Sequence, residues 1–376
     1  MLILFTTAFF STVLLTGWAR KIAKHFTKAY PQDALQRFHV GDVSRLGGIA
    51  MFVGFVLSIA CAILLERFSS KRLNLGFGAT DTVVYIAYLT LPVFIGMWED
   101  ITFRVRVSVR LLTTLIGAFV AAWLLDAAVT RLGIPWIDIW WPHYPALGIG
   151  LAVLAMSGLP HAFNIIDGYN GLAGSVSVII CGALFYVSYL LGDRQLAAYA
   201  LCTIAVTCEF LIWNYPRGLI FAGDSGAYFW GLNIAIICIL LVDRHPQVSP
   251  WFVMLLLIYP VWETLFSSYR KISQGSAPSV ADSLHLHHVI YKRVVRSTFQ
   301  ADEAKMLLSR NNRTTPYLIG LTVMTALPAV IFWDQTLVLM AFTALFVVSY
   351  LAAYALLVDP RLRRWLRKFR HARIGR

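Results

Sequence analysis

Long apolar runs recur along this chain and are separated by short polar segments. A helix needs about 20 apolar residues to cross the hydrocarbon core of a bilayer. Eleven stretches meet that requirement, at 2–19, 46–65, 80–98, 108–126, 146–164, 172–191, 196–213, 227–243, 250–269, 316–333 and 336–357. The pattern predicts an all-α, polytopic integral membrane protein with about eleven transmembrane helices. No internal repeat and no Pro/Ser-rich linker divides it, so residues 1–376 read as one membrane domain. The longest polar interruption, 270–315, reads as a loop, and a polar tail occupies 360–376. The first apolar run has no basic segment before it and no small-residue cleavage site after it. Arg20, Lys21, Lys24 and Lys28 follow instead, the pattern of a retained helix whose C-terminal end is cytoplasmic.

Composition agrees with this and excludes much else. Hydrophobic residues make up 59 % of the chain and charged residues only 14 %, against about 25 % charged in an ordinary soluble domain. That excludes a soluble globular enzyme, a disordered chain and a secreted disulfide scaffold. The five cysteines (Cys61, Cys181, Cys202, Cys208 and Cys238) fall in apolar stretches without a CxxC pair and read as small buried hydrophobes.

The net charge of +13 changes the picture once it is partitioned. With eleven spans, alternate loops share a side, and 26 of the 32 Lys and Arg residues fall in one set. Lysine and arginine favour cytoplasmic loops, so this set is cytoplasmic, with the N-terminus outside and the C-terminus inside. The tail PRLRRWLRKFRHARIGR interleaves Leu, Trp and Phe with its charges. It reads as a surface helix lying on anionic membrane lipid. Nothing else supports a nucleic-acid partner.

Ionisable groups beside spans are costly and demand a reason. Five clusters lie on the predicted cytoplasmic side. Gln36-Arg37-Phe38-His39 precedes Ser44-Arg45-Leu46-Gly47-Gly48, whose paired glycines permit close backbone approach. Glu99 and Asp100 are adjacent carboxylates that repel unless a cation or proton separates them. Asn164, Asp167 and Asn170 recur at three-residue spacing among glycines and can converge on one ligand where a helix breaks. Asn214 leads through Phe221 to Asp224, which stands between glycines where the eighth span begins, a place for a carboxylate that holds Mg²⁺ on phosphate. His285, His287 and His288 precede Lys292 and Arg293. Zinc is conceivable at the histidines, but with Lys and Arg beside them they suit the neutralisation of phosphate oxygens. Together these groups suit Mg²⁺-assisted phosphoryl transfer from a charged, water-soluble donor.

The ordered strings QRFH…SRLGG, GMWED, NIIDGYNGLAG, NYPRGLIFAGDSGA and HLHH resemble the polyprenyl-phosphate N-acetylhexosamine-1-phosphate transferase superfamily. Such enzymes move a sugar-1-phosphate from a UDP-sugar to undecaprenyl phosphate, releasing UMP with Mg²⁺. The resemblance places the double-acid motif on Glu99 and Asp100, and the asparagine–aspartate motif on Asn164, Asp167 and Asn170. It makes Asp224, with Asp167, the metal carboxylate, Phe221 the uracil stack and Asn214 its companion. His285, His287, His288, Lys292, Arg293 and Arg45 become substrate-binding, and Glu99, Asp100 and Asp167 catalytic. It implies Mg²⁺ (with Mn²⁺ as a substitute), a UDP-N-acetylhexosamine donor, a homodimer by analogy, and a site on the cytoplasmic side of a bacterial inner membrane.

Glu99 stands where the family usually has Asp. The Asp-x-Pro before the first histidine is replaced by Pro31-Gln32-Asp33-Ala34, and Arg217, Gly218 and Ala227 also depart from the family pattern. These departures imply a divergent branch. HLHH is closer to the GlcNAc-type form than to the phospho-N-acetylmuramoyl-pentapeptide form. The expectation is therefore initiation of a cell-surface glycan such as O-antigen, with the peptidoglycan enzyme as the alternative. Direct attack by the lipid phosphate and a covalent phospho-enzyme are both compatible with these residues. A transporter or flippase is the rival class, and its support is the intramembrane pair Glu209 and Glu263.

Overall fold

The computed structural model describes residues 1–26, 43–68, 76–275, 285–293, 295 and 303–358. Among them the chain is helical throughout, without strands. In order the helices are α1 (Leu2–Phe26), α2 (Gly47–Phe68), α3 (Ala79–Thr102), α4 (Val107–Leu124) and the single turn α5 (Pro135–Asp138). They continue as α6 (Pro145–Ile166), α7 (Leu172–Leu190), α8 (Arg194–Asn214), α9 (Gly223–Arg244), α10 (Pro250–Leu256) and α11 (Ile258–Ser273). Last come α12 (Leu286–Arg293), α13 (Glu303–Ile331) and α14 (Thr336–Val358).

Ten of the described helices are long and apolar enough to cross a membrane: α1–α4, α6–α9, α13 and α14. All ten lie where apolar runs predict spans. The ninth predicted span, 250–269, is not one straight helix. It breaks at Leu257 into α10 and α11, bent by 69°. Pro260 explains the break: it has no N–H to offer the Leu256 carbonyl four residues earlier, so the helical ladder ends there. The predicted loop 270–315 carries helices of its own. It contains α12 and the start of α13, and the tenth span begins at Leu308 rather than 316. Asn311, Thr314 and Thr315 are buried, so this polar turn faces protein instead of lipid. The string 36–39 and the tail 360–376 lie outside the described residues.

The bundle is built around α9, whose span is buried along its whole length among α2, α3, α6, α7 and α8. Small residues make this packing close: a Cβ on Gly231 of α9 would lie 2.4 Å from Pro160 Cα of α6. Two polar clusters inside the bundle find partners, as an apolar medium favours. Asn233 of α9 accepts from Tyr85 of α3 and donates to Thr203 of α8. Glu209 accepts from Thr16 Oγ1 at 2.9 Å and Trp213 Nε1 at 2.7 Å, which ties α8 to α1. The five cysteines are free thiols; Cys181, Cys202 and Cys238 are buried, whereas Cys61 and Cys208 are only partly so.

Candidate functional site

The candidate site forms where α9 begins, against the end of α3 and the start of α2. The chain before α2 and the chain before α9 pair through their backbones. Phe221 N donates to Ser44 O at 2.8 Å, Gly47 N to Phe221 O at 3.0 Å and Gly48 N to Ala222 O at 3.0 Å. This approach requires glycine: a Cβ on Gly48 would lie 2.0 Å from Gly226 N. Gly223 adopts a φ of +70°, and a Cβ there would meet the Asp100 oxygens at 2.4 Å.

Asp100 is fully buried at the end of α3 and caps α9 from outside that helix. Its Oδ1 accepts from Asp224 N at 2.9 Å, and its Oδ2 accepts from Ser225 N and Ser225 Oγ, both at 3.0 Å. A carboxylate at a helix N-terminus satisfies orphan N–H groups and complements the helix dipole. Arg45 Nε lies 3.3 Å from Asp100 Oδ1, and its Nη2 lies 3.3 Å from Asp224 Oδ1. The same Asp224 oxygen accepts from Asn164 Nδ2 at 2.8 Å. Arg110 Nη1 of α4 pairs with the other oxygen, while Arg110 Nε has no hydrogen-bond partner among the described residues. Two guanidinium groups thus face two carboxylates beside a helix N-terminus, where guanidinium and backbone N–H groups can meet a phosphate. Glu99, half-buried, accepts from Val105 N at 2.7 Å.

Asp167 immediately follows α6. Desolvation, opposed by Arg45 and reinforced by the Asp224 charge, pushes its carboxyl up to about 7. Asn170 and Asn214 clamp the next turn. Asn170 N donates to Asn311 Oδ1 at 2.8 Å, and Asn170 O accepts from Thr315 Oγ1 at 2.7 Å. Asn214 accepts from Gly171 N at 2.5 Å and donates to Ile220 O at 2.8 Å, which bridges that turn to the segment holding Phe221.

The histidines pack on this turn from α12. Tyr169 OH lies 3.1 Å from His288 Nδ1, and the Tyr169 ring meets His287 edge-on at 5.5 Å. His287 is buried, and that burial, helped by His288 and His285, holds its imidazole well below the usual range. It is therefore neutral at neutral pH and offers hydrogen bonds rather than charge. The side chains of Lys292 and Arg293 lie outside the described residues.

The donor set fits a hard divalent cation. No three His, Cys, Asp or Glu side chains converge as a protein-only metal cage among the described residues. Mg²⁺ typically takes one or two carboxylates and completes its shell with substrate phosphate and water. Asp224, whose charge helps to raise the Asp167 carboxyl, offers such a pair with it.

Comparison with known proteins agrees with this layout. The model of glycosyl transferase family 4 matches residues 82–242, the segment from α3 to α9 that carries both acid motifs, Asn214, Phe221 and Asp224. A decaprenyl-phosphate N-acetylglucosaminephosphotransferase of Mycolicibacterium smegmatis is 28 % identical over 75 % of this chain and 73 % of its own length. The undecaprenyl-phosphate alpha-N-acetylglucosaminyl 1-phosphate transferase of Yersinia pestis is 26 % identical over 72 % of this chain and 70 % of its own. Its Escherichia coli K12 namesake is 24 % identical over 80 % and 78 %. These likenesses support the polyprenyl-phosphate N-acetylhexosamine-1-phosphate transferase superfamily as the one this chain resembles. Several of the residues predicted from sequence fall into two adjoining groups. Arg45, Asp100, Asn164 and Asp224 meet directly; Asn170, Asn214 and the histidines organise the turn after Asp167. Sequence reading missed Arg110, Asn311, Asn312 and Thr315. Arg110 stood in the charge run after Glu99-Asp100, and a polar string inside an otherwise apolar span was the available signal for the other three.

Proposed function

We propose that the protein transfers an N-acetylhexosamine-1-phosphate from a UDP-sugar to undecaprenyl phosphate. UMP leaves, and the lipid-pyrophosphoryl sugar so formed starts a cell-surface glycan such as O-antigen. The observation that carries this reading is the convergence of Arg45, Arg110 and Asn164 on Asp224 at the start of α9. Phosphoryl transfer asks little covalent chemistry of a protein and much positioning and charge neutralisation. Asp224 and Asp167 would hold Mg²⁺, which supplies charge neutralisation at the donor pyrophosphate. Arg45 and Arg110 bind phosphate oxygens, and Asp100 fixes the backbone that carries Asp224. Glu99, which spends one oxygen on Val105, is the acid of the pair we assign to orienting the lipid phosphate. Phe221 stacks on the uracil, and the α12 histidines hydrogen-bond the donor phosphates or sugar. The distribution of Lys and Arg supports a bacterial inner-membrane location with this face in the cytoplasm.

The test uses purified protein in detergent with undecaprenyl phosphate, Mg²⁺ and a panel of UDP-N-acetylhexosamines. Mass spectrometry should find a lipid-pyrophosphoryl sugar with at least one donor. No such product with any donor would sink the reading.

A further inference from the structure

Glu263 lies on α11, beyond the break at Leu257, and is 1 % exposed. Three donors converge on its two oxygens. His285 Nδ1 at 3.0 Å and the Leu286 backbone N–H at 2.9 Å reach Oε1, and the Tyr350 hydroxyl reaches Oε2 at 2.6 Å. The first two open the histidine motif; the third belongs to α14, the last described span. A second contact follows one turn along, where Arg270 Nη1 donates to Tyr354 OH at 2.7 Å and Phe266 packs edge-on against Tyr354. A buried intramembrane carboxylate is costly and so calls for a functional explanation. Here it is saturated by donors that come from two distant segments.

The geometry has a direct consequence for the motif. The contact with Glu263 Oε1 engages the Nδ1 of His285, and the neighbouring Leu286 N–H bond to the same oxygen holds the ring where it is. That ring stacks on His287 at 5.2 Å with 13° between planes, and His287 meets His288 at 4.3 Å. On its far side, the Nε2 of His287 lies 3.4 Å from where a Gly168 Cβ would stand. Contacts therefore run without a gap from Tyr350 through Glu263 and His285 to the turn that carries Asp167.

We propose that Glu263 and Tyr350 are positioning residues that clamp the histidine motif onto the 167–171 turn, so that α14 sets the geometry of a site whose carboxylates lie on other helices. The kinetic consequence rests on the proposed function; the clamp itself does not.

Two measurements test it. Glu263→Gln keeps the volume and one acceptor oxygen but loses the charge, and Tyr350→Phe removes only a hydroxyl. In hydrogen-exchange mass spectrometry of the full chain in detergent, amides of 285–291 should exchange at least about tenfold faster in E263Q, with a smaller rise in Y350F and α6 unchanged. Wild-type protection in both variants overturns the clamp. In the transferase assay, E263Q should lower kcat/KM by about 10- to 100-fold, as a displaced binding group does. In a His285→Ala background, the same change should cost less than about threefold more. Losses that multiply would mean that Glu263 does not act through His285. A wild-type protein without transferase activity would refute the proposed function, and the exchange arm would still decide the clamp.

Discussion

Asp224 is where a single atom change should tell most. It faces Arg45, Arg110 and Asn164 and stands in the first turn of the most buried helix. Asp224→Asn keeps the size and the Asn164 contact surface but replaces the anion that Arg110 and Arg45 share by a neutral amide and removes one carboxylate from the proposed cation site. Transferase activity should fall by about 100- to 1000-fold, as removal of a preorganised electrostatic group does; activity within twofold of wild type would remove Asp224 from the mechanism. Asp167 makes a prediction about pH. Its carboxyl is pushed up to about 7 by desolvation first, and a cation binds the ionised form. Below that pH the proton competes, so the apparent Mg²⁺ affinity should weaken by about tenfold per pH unit between 7 and 5, and level off above 8. A Mg²⁺ titration of activity at several pH values checks this, and an affinity independent of pH contradicts the assignment.

The elements show which features local sequence carries. Hydropathy located ten spans because each needs only its own residues to be apolar. The motifs at 164–170 and 221–226 were legible because glycines and polar groups beside an apolar run have few other uses. The break at Leu257 was hidden by uniform hydropathy on both sides, although Pro260 was its local cause. The start of α13 was not legible, because Asn311, Asn312 and Thr315 acquire meaning only from Asn170 and Pro216. Glu263 was visible as an anomaly, but its partners Tyr350 and His285 are 87 and 22 residues away. The α13 clamp is testable by itself. Asn311→Ala removes the acceptor of the buried Asn170 N–H, which should cost about 1–3 kcal/mol and lower the thermal midpoint in detergent. Asn312→Ala, whose bond to Pro216 is exposed, should cost less. Equal midpoints for both variants and the parent would show that the turn does not depend on α13.

For the whole molecule, the proposed topology puts the site on the side where the sequence is expected to concentrate Lys and Arg. The site gathers at the ends of α3, α6 and α8 and the starts of α2, α4 and α9, the ends that the distribution of Lys and Arg assigns to the cytoplasm. Reporter fusions after His288 should therefore report cytoplasm, and fusions near Pro142, in the short connection between α4 and α6, should report the outside. The reverse result would put the site on the side where no cytoplasmic nucleotide sugar arrives.

In the proposed reaction the bond broken joins the bridging oxygen to the sugar-bearing β-phosphorus, so that UMP leaves with that oxygen and the sugar keeps its phosphate. The most direct measurement is the nucleotide released when purified protein, undecaprenyl phosphate, Mg²⁺ and an accepted UDP-N-acetylhexosamine are combined. UMP should appear in equal amount to the lipid-pyrophosphoryl sugar and only when the lipid phosphate is present. Release of UDP, which marks transfer of the sugar alone, would contradict it.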